Sequence, residues 1–277
     1  MFCQLNFAMI SFPTCKINLG LRITEKRADG FHNLESCFYP VQWQEMVEVI
    51  KHTELKFTTT GIPIPHSLKG NLCIQVWEKV HQLYAIDPVH IHLHKAIPIG
   101  AGLGGGSADA AFTLKTLNQL FELKISEDEM EDILKPLGSD CAFFVRNKPI
   151  IAFGKGDQFR PTTLSLKGKW IVLVYPNIHI STKEAYAGII PKHVEINIDE
   201  IIKSDWRHWK DLLKNDFEDH LFIKYPELEK LKNNLYHSGA VYASMTGSGS
   251  CVYGLYEHEP TFDMINTGYL LKKAILD

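Results

Sequence analysis

The chain has 277 residues, 45% hydrophobic and 22% charged, a composition that builds a folded core and excludes a disordered or low-complexity protein. Its 29 basic and 32 acidic side chains leave a formal net charge of -3, so there is no basic surplus for nucleic acid. No apolar run reaches the roughly 18 residues of a membrane span, and the length suits one large domain or two of about 130 residues.

The opening residues 1–12 are apolar but carry neither a basic leader nor a clear cleavage site, so they are not read as a signal peptide. Met1 and Met9 are both candidate starts, with residues 1–8 an extension in the second case. Residues 10–24 read as strand, with two further strands at 46–50 and 55–60. Residues 61–70 carry two prolines and read as loop. Asn71 is a candidate N-cap for a helix in which Leu72, Val76, Val80 and Leu83 recur at helical spacing. Residues 89–94 alternate Val, His, Ile, His, Leu, His and read as strand. A glycine-rich loop over 98–106 is followed by a helix expected to open at Ser107, and another helix is expected over 127–137. Gly138 and Ser139 reset the chain, and Asp140 begins a short segment, Cys141 to Val145, that is buried by composition.

Residues 150–160, with Gly154 and Gly156, read as a crossing between domains. A strand at 170–175 and a turn at Pro176–Asn177 follow, then helices at 182–189, 209–222 and 226–237. Residues 243–256 are glycine-interrupted and become strand-like from Cys251, and residues 261–275 read as a closing helix. Strands and helices interleave without a fixed period, which points to an α+β fold.

The six cysteines (Cys3, Cys15, Cys37, Cys73, Cys141 and Cys251) are dispersed and form no C-x-x-C pair. That spacing argues against a zinc site or disulfide framework and favours a reducing cytoplasm. His90, His92 and His94 share one face of their strand, but same-face neighbours stand roughly 7 Å apart, too far to close easily on one small ion. A polar outer sheet face is the preferred reading. The segment 205–211, with two tryptophans among charges, reads as amphipathic packing before a helix.

The sharpest local feature is the run from Pro98 to Ala111, in which Gly100, Gly102, Gly104, Gly105 and Gly106 precede a helix-forming stretch. Glycines let backbone N–H groups turn inward around an anion, and the helix N-terminus behind them adds free donors and partial positive charge. Ser107 adds a hydroxyl suited to phosphate or to magnesium. A flexible linker would not run into Ala108, Ala110 and Ala111, whose small side chains allow close approach to another element. No Lys–Ser/Thr follows the glycines, so this is not a Walker A loop, and no suitably placed acidic residue makes it a dinucleotide fingerprint. Lys95 precedes the loop as a candidate phosphate contact or a solvated strand-end lysine. Asp109 is a candidate for organising magnesium or for stabilising the first helical turn. Lys16 lies in a strand that otherwise prefers apolar residues, and Asp140 is its natural partner.

The loop, the segment from Lys16 to Leu34, the segment from Met245 to Tyr253 and the run from Leu137 to Phe144 occur in an order that resembles the kinase superfamily of galactokinase, homoserine kinase, mevalonate kinase and phosphomevalonate kinase. The resemblance covers residues 10–277. The stretch from Arg27 to Asn33 is most similar to the branch whose alcohol substrate carries a cytidine diphosphate group, in non-mevalonate isoprenoid precursor synthesis.

The resemblance implies a two-domain kinase. Residues 1–155 would form a ribosomal-protein-like α+β domain that binds ATP. Residues 156–277 would form a ferredoxin-like substrate-side domain, with the cleft between the two. It implies ATP and Mg2+ as cofactors, with metal ligands left open, and a monomer or homodimer. Lys16 and Asp140 would be the catalytic pair, the aspartate taking or orienting the hydroxyl proton and the lysine holding it ionised. Lys95, Pro98, Gly100, Ala101, Gly102, Leu103, Gly104, Gly105, Gly106 and Ser107 would hold ATP. Asn18, Phe31, His32, Thr182, Tyr186, Thr246 and Gly247 would hold the acceptor. Within that set, an aromatic residue at 31 and His32 would hold cytosine, with Tyr186 on the opposite face of the base. Phe31 replaces the tyrosine expected there, which keeps stacking and loses a hydroxyl. Ser250 replaces the expected Gly or Ala and is small enough not to block a site. The alternatives are another small-alcohol kinase, acting on homoserine or mevalonate, and a nucleotide-binding protein without catalysis.

Overall fold

The computed structural model describes residues 8–64, 70–191, 196–261 and 268–277. The question of the start residue therefore lies outside the described residues, except for residue 8 and Met9. The first part of the chain forms strands β1 (Met9–Ser11), β2 (Thr14–Lys26), β3 (His32–Gln44), β4 (Met46–Lys51) and β5 (Lys56–Gly61). Helix α1 (Leu72–Tyr84), strand β6 (Val89–Lys95), and helices α2 (Gly105–Leu120), α3 (Glu127–Leu134) and α4 (Phe143–Arg146) follow. Next come strands β7 (Ile150–Gly154), β8 (Gln158–Pro161) and β9 (Trp170–Tyr175), then helices α5 (Thr182–Ala187) and α6 (Ile198–Ile202). Helices α7 (Trp209–Leu212), α8 (Glu218–Lys224) and α9 (Pro226–His237) precede strands β10 (Tyr242–Met245), β11 (Val252–Tyr256) and β12 (Leu270–Ile275).

The fold is α+β, with three four-stranded sheets among the described residues, ordered β1-β4-β6-β5, β2-β3-β7-β8 and β10-β11-β9-β12. Packing divides the chain into two compact units, each assembled from three segments. Unit 1 comprises Met1–Cys15, Gln44–Ile99 and Gly104–Asn147. Unit 2 comprises Lys16–Trp43, Gly100–Leu103 and Lys148–Asp277.

In unit 1, β5 and β6 run parallel and are joined through α1. The alternation in β6 buries Val89, Ile91 and Leu93, and the helical spacing in α1 buries Val76 and Val80. Asn71 caps α1 by accepting from Cys73 N at 2.9 Å, a contact worth about 1 kcal/mol. On the other face of β6, His90, His92 and His94 interleave with Thr58 and Thr60 of β5 through hydrogen bonds of 2.8–3.1 Å. The alternating histidines are thus a polar side-chain ladder.

In unit 2, α8 and α9 bury Leu221, Leu228, Leu231 and Leu235 against Val172, Val174, Ala243 and Val252 of the β9, β10 and β11 strands. Trp209 is fully buried, while Asp205 caps the turn before it by accepting from Arg207 N.

Four segments differ from their sequence reading. Residues 32–44, for which no element was expected, form the long strand β3, joined to β2 by a tight turn at Asp29–Gly30. Residues 150–160 form the β7–β8 hairpin rather than a plain crossing, with Gly156 in the left-handed region at its turn. The expected helix over 209–222 breaks between α7 and α8, because Leu21 N donates to Lys214 O and Asp216 N donates to Leu21 O. Those backbone groups bond to β2 instead of to a helical turn. The closing segment is strand β12 over 270–275, antiparallel to β9, not a helix, and residues 262–267 lie outside the described residues. A short apolar run cannot distinguish the two periods, and the free edge of β9 decided it.

Candidate active site

Helix α2 begins at Gly105, two residues before the expected Ser107. Gly104 occupies the N-cap in the left-handed conformation (φ 71°), and no side chain caps the helix. The donors of its first turn therefore carry no side-chain cap, at the positive end of a 16-residue helix. Nothing lies within 4 Å of where a Cβ on Gly106 would stand, so the backbone is open there. Ser107 is half-buried in this first turn.

In the same unit, Ser107 faces the turn that carries Asp140. A Cβ on Gly138 would stand 3.0 Å from Cys141 Sγ and 4.0 Å from Ser107 Oγ. Burial raises the Cys141 thiol to about 11, opposed by its hydrogen bond with Ser107. Asp140 is half-buried, with Ser139 Oγ donating to its Oδ1 at 3.5 Å. The structure thus brings the opening of α2 and the Gly138–Cys141 turn together.

Lys95 is neither solvated nor displayed on the loop. It is 4% exposed, and its ammonium donates to Glu45 Oε1 and to Asp109 Oδ2 (2.8 Å). Asp109 is accordingly part of this buried network rather than of the helix's opening turn. Glu45, at the corner between β3 and β4, also accepts from Ala96 N (2.9 Å) and Ile97 N (3.1 Å). Sequence reasoning missed Glu45. Its only signal was a carboxylate directly before the strand expected at 46–50. Pro98, the next residue on, is buried.

Unit 2 gathers another set. Lys16 is 3% exposed, and its Nζ donates to Asn18 Oδ1 at 2.5 Å and lies 4.8 Å from the Phe38 ring centroid. Its backbone N donates to Leu103 O at 2.9 Å. Asn18 Nδ2 donates to Ser36 Oγ (2.9 Å), and Asn18 N donates to Thr246 Oγ1 (3.1 Å). Thr246 Oγ1 donates in turn to Gly102 O (3.2 Å), and Cys251 N donates to Ala101 O (3.2 Å).

The two glycine segments meet backbone to backbone. A Cβ on Gly102 would fall 2.0 Å from Thr246 O, and one on Gly247 would fall 3.0 Å from Gly102 O. Gly102 also sits at φ 77°, so glycine is required there twice over. Ser250 is accommodated, its hydroxyl donating to Ile178 O. Sequence reasoning also missed His179, whose ring would stand 2.8 Å from a Cβ on Gly100, and two residues that hold the third motif. Asn215 Nδ2 donates to Met245 O (2.8 Å) and Gly247 O (2.9 Å), and Glu218 Oε1 accepts from Met245 N (2.7 Å).

The aromatic end of unit 2 pairs His32 with Tyr186, with stacked rings 4.9 Å apart, and Tyr186 packs edge-on against Phe217 at 4.9 Å. Burial, with Lys26 nearby, lowers His32 below its usual range, so its imidazole stays neutral at pH 7. Phe31 is 59% exposed at the Asp29–Gly30 turn, with Lys155 Nζ 5.1 Å from its ring centroid. Thr182 is exposed at the start of α5, behind the Ser181 cap. Among the described residues, no group of three or more His, Cys, Asp or Glu is placed to hold a metal, and no helix is long and apolar enough to cross a membrane.

Residues 71–148 match the family model of the GHMP kinases N terminal domain, and residues 197–263 match that of the GHMP kinases C terminal region. The chain is 53% identical over 253 residues to a 4-diphosphocytidyl-2-C-methyl-D-erythritol kinase of Cytophaga hutchinsonii, covering 91% of this chain and 94% of that one. A kinase of the same name from Bacteroides thetaiotaomicron is 49% identical over 264 residues, covering 94% and 96%. A crystal structure of a 4-(cytidine 5'-diphospho)-2C-methyl-D-erythritol kinase superposes with a TM-score of 0.78 at 28% identity, covering 90% of each chain.

Proposed function

The chain belongs to the GHMP kinases, and on that footing we propose that it phosphorylates the 2-hydroxyl of 4-diphosphocytidyl-2-C-methyl-D-erythritol with ATP, giving the 2-phosphate and ADP. It is an ATP-dependent phosphotransferase with an alcohol acceptor, acting in non-mevalonate isoprenoid precursor synthesis. The observation that carries phosphoryl transfer is the uncapped N-terminus of α2 behind its glycine loop. The near-full-length likeness to kinases of that acceptor names the substrate. The matched regions fall on either side of residue 156, which supports an ATP-side portion over 1–155 and a substrate-side portion over 156–277.

In this reading the triphosphate is held by backbone N–H groups between Gly100 and Ser107. Phosphoryl transfer asks the protein mainly for positioning and charge stabilisation. The acceptor oxygen attacks the γ-phosphorus, the bond to the β,γ-bridging oxygen breaks, and ADP leaves. Asp140 takes the proton from the 2-hydroxyl. Lys16, set by Asn18, stabilises charge on the transferring oxygens. Magnesium bound with ATP would supply charge neutralisation. Ser107 is the residue of this chain suited to hold it, because the Asp109 carboxylate is committed to Lys95.

Cytosine is read at His32, whose neutral imidazole can donate and accept, between Phe31 and Tyr186. Thr182, Thr246 and Gly247 complete the acceptor side. The dispersed cysteines favour a cytoplasmic setting, and a monomer or homodimer serves this chemistry.

The test is turnover of Asp140→Asn. A fall in kcat of about 10²–10⁴ is expected, with ATP binding by calorimetry retained. Unchanged turnover would remove Asp140 from this role. Faster use of homoserine or mevalonate than of the cytidine diphosphate alcohol would overturn the acceptor.

A further inference from the structure

The residues between α7 and α8 meet several other elements of unit 2. Leu21 N donates to Lys214 O (2.9 Å) and Asp216 N donates to Leu21 O (2.8 Å), so the chain here runs along β2. The side chains on either side of Phe217 are all committed. Asn215 donates to Met245 O and Gly247 O, and its Oδ1 accepts from Phe217 N at 3.1 Å. Asp216 Oδ2 accepts from Ile23 N at 2.7 Å. Glu218 Oε1 accepts from Met245 N and from Ser244 Oγ. The backbone of Phe217, the N-cap residue of α8, is therefore held on both sides.

Phe217 itself is 1% exposed, and its ring meets Tyr186 with centroids 4.9 Å apart and planes at 77°. That is the edge-to-face arrangement that aromatic quadrupoles favour. Tyr186 in turn lies against His32, with an interplanar angle of 29°. The three rings form a series from the core outward, Phe217 fully buried and Tyr186 and His32 half-buried. Any apolar side chain of similar volume could fill the core at 217. An aromatic edge on a fixed backbone does something more: it fixes the plane of the ring that it touches. A fixed plane matters where that ring must stack on a ligand, because stacking weakens as the planes tilt or slip.

We propose that Phe217 is a specificity-determining positioning residue for the cytidine end of the acceptor. Its ring edge sets the plane of Tyr186, and Tyr186 with His32 takes the base. Asn215, Asp216 and Glu218 keep the edge in place by anchoring its backbone to β2 and to the segment from Ser244 to Gly247. The proposal rests on reading His32 and Tyr186 as base-holding residues.

The experiment compares wild type, Phe217→Leu, Tyr186→Leu and the double variant by kcat, KM for ATP, KM for the cytidine diphosphate alcohol, and Ki for cytidine diphosphate as a competitive probe. Phe217→Leu should raise KM for the alcohol and Ki for cytidine diphosphate by the same factor, roughly three- to tenfold. Its kcat and KM for ATP should stay within about twofold of wild type, the pattern of a contact made equally in ground and transition states. In the Tyr186→Leu background, Phe217→Leu should change KM for the alcohol by less than about twofold, because the ring it positions is gone.

Leu235→Val, a substitution of another fully buried side chain of the same core, is the control for lost packing. It should lower the melting midpoint and leave KM for the alcohol unchanged. Multiplicative effects in the double variant, KM for ATP rising alongside KM for the alcohol, or an equal rise in Leu235→Val would each overturn the proposal. If Phe217→Leu fails to fold, Phe217→Met takes its place, since it keeps more of the volume and still lacks an aromatic edge. A Tyr186→Leu enzyme with unchanged KM for the alcohol and unchanged Ki would instead overturn the base-holding reading itself.

Discussion

In unit 1, Glu45 receives the N–H groups of Ala96 and Ile97 just before the first glycine segment, with Lys95 as its counter-ion. In unit 2, Glu218 receives Met245 N and Ser244 Oγ just before the segment from Thr246 to Ser250, with Lys232 as its counter-ion at 2.5 Å. The device is similar: a buried carboxylate takes backbone N–H donors shortly before a glycine turn, so the turn starts from a held backbone. The charge balance differs. Lys95 is shared with Asp109 inside the protein, whereas the Lys232 side chain is 21% exposed and serves one carboxylate. Burial raises Asp109 to about 7, with Lys95 drawing it back and Glu45 adding to the rise. The second carboxylate, Asp109, is what sets the two clamps apart.

Substitution should separate the two clamps. Glu45→Ala strands two backbone donors and should cost about 2–4 kcal/mol in denaturant unfolding. It leaves Lys95 and Asp109 paired one to one. A cost no larger than that of a surface substitution would end the parallel. Glu218→Ala strands one backbone N–H and one hydroxyl while Lys232 turns to water, for a cost of about 1–3 kcal/mol on the same measurement. Lys232→Met should cost about 1 kcal/mol, because Glu218 keeps its donors from Ser244 and Met245 and solvent screens the rest. If Lys232→Met proved costlier than Glu218→Ala, the lysine and not the carboxylate would be the clamp.

Much of the site was legible where chemistry is local. The glycines from Gly100 to Gly106 announced a tightly turning backbone ahead of a helix, and Gly102 sits at φ 77°, a conformation that favours glycine. Asn71 announced its helix, and the alternation over 89–94 announced its strand. His32 and Tyr186 were both named for the acceptor side, Tyr186 on the far face of the base, and the structure stacks their two rings directly on each other. Glu45, Asn215 and Glu218 were not legible, since each acts on backbone groups 27 or more residues away. A carboxylate's identity does not say which amides will reach it. The segment 270–275 was misread for a related reason, as pairing to β9 overrode a local pattern that suited either period.

By itself, then, the sequence determined the α+β class and the glycine-rich run that opens into α2, because those follow from residue pattern and backbone freedom along a short stretch. Only the tertiary structure decided that Lys95 faces two carboxylates instead of solvent, that Gly102 meets Thr246 backbone to backbone, and that α2 opens at Gly105 without a capping side chain. Each of these depends on which distant groups exclude water from a polar atom, and burial is a property of the assembled packing, not of any one segment.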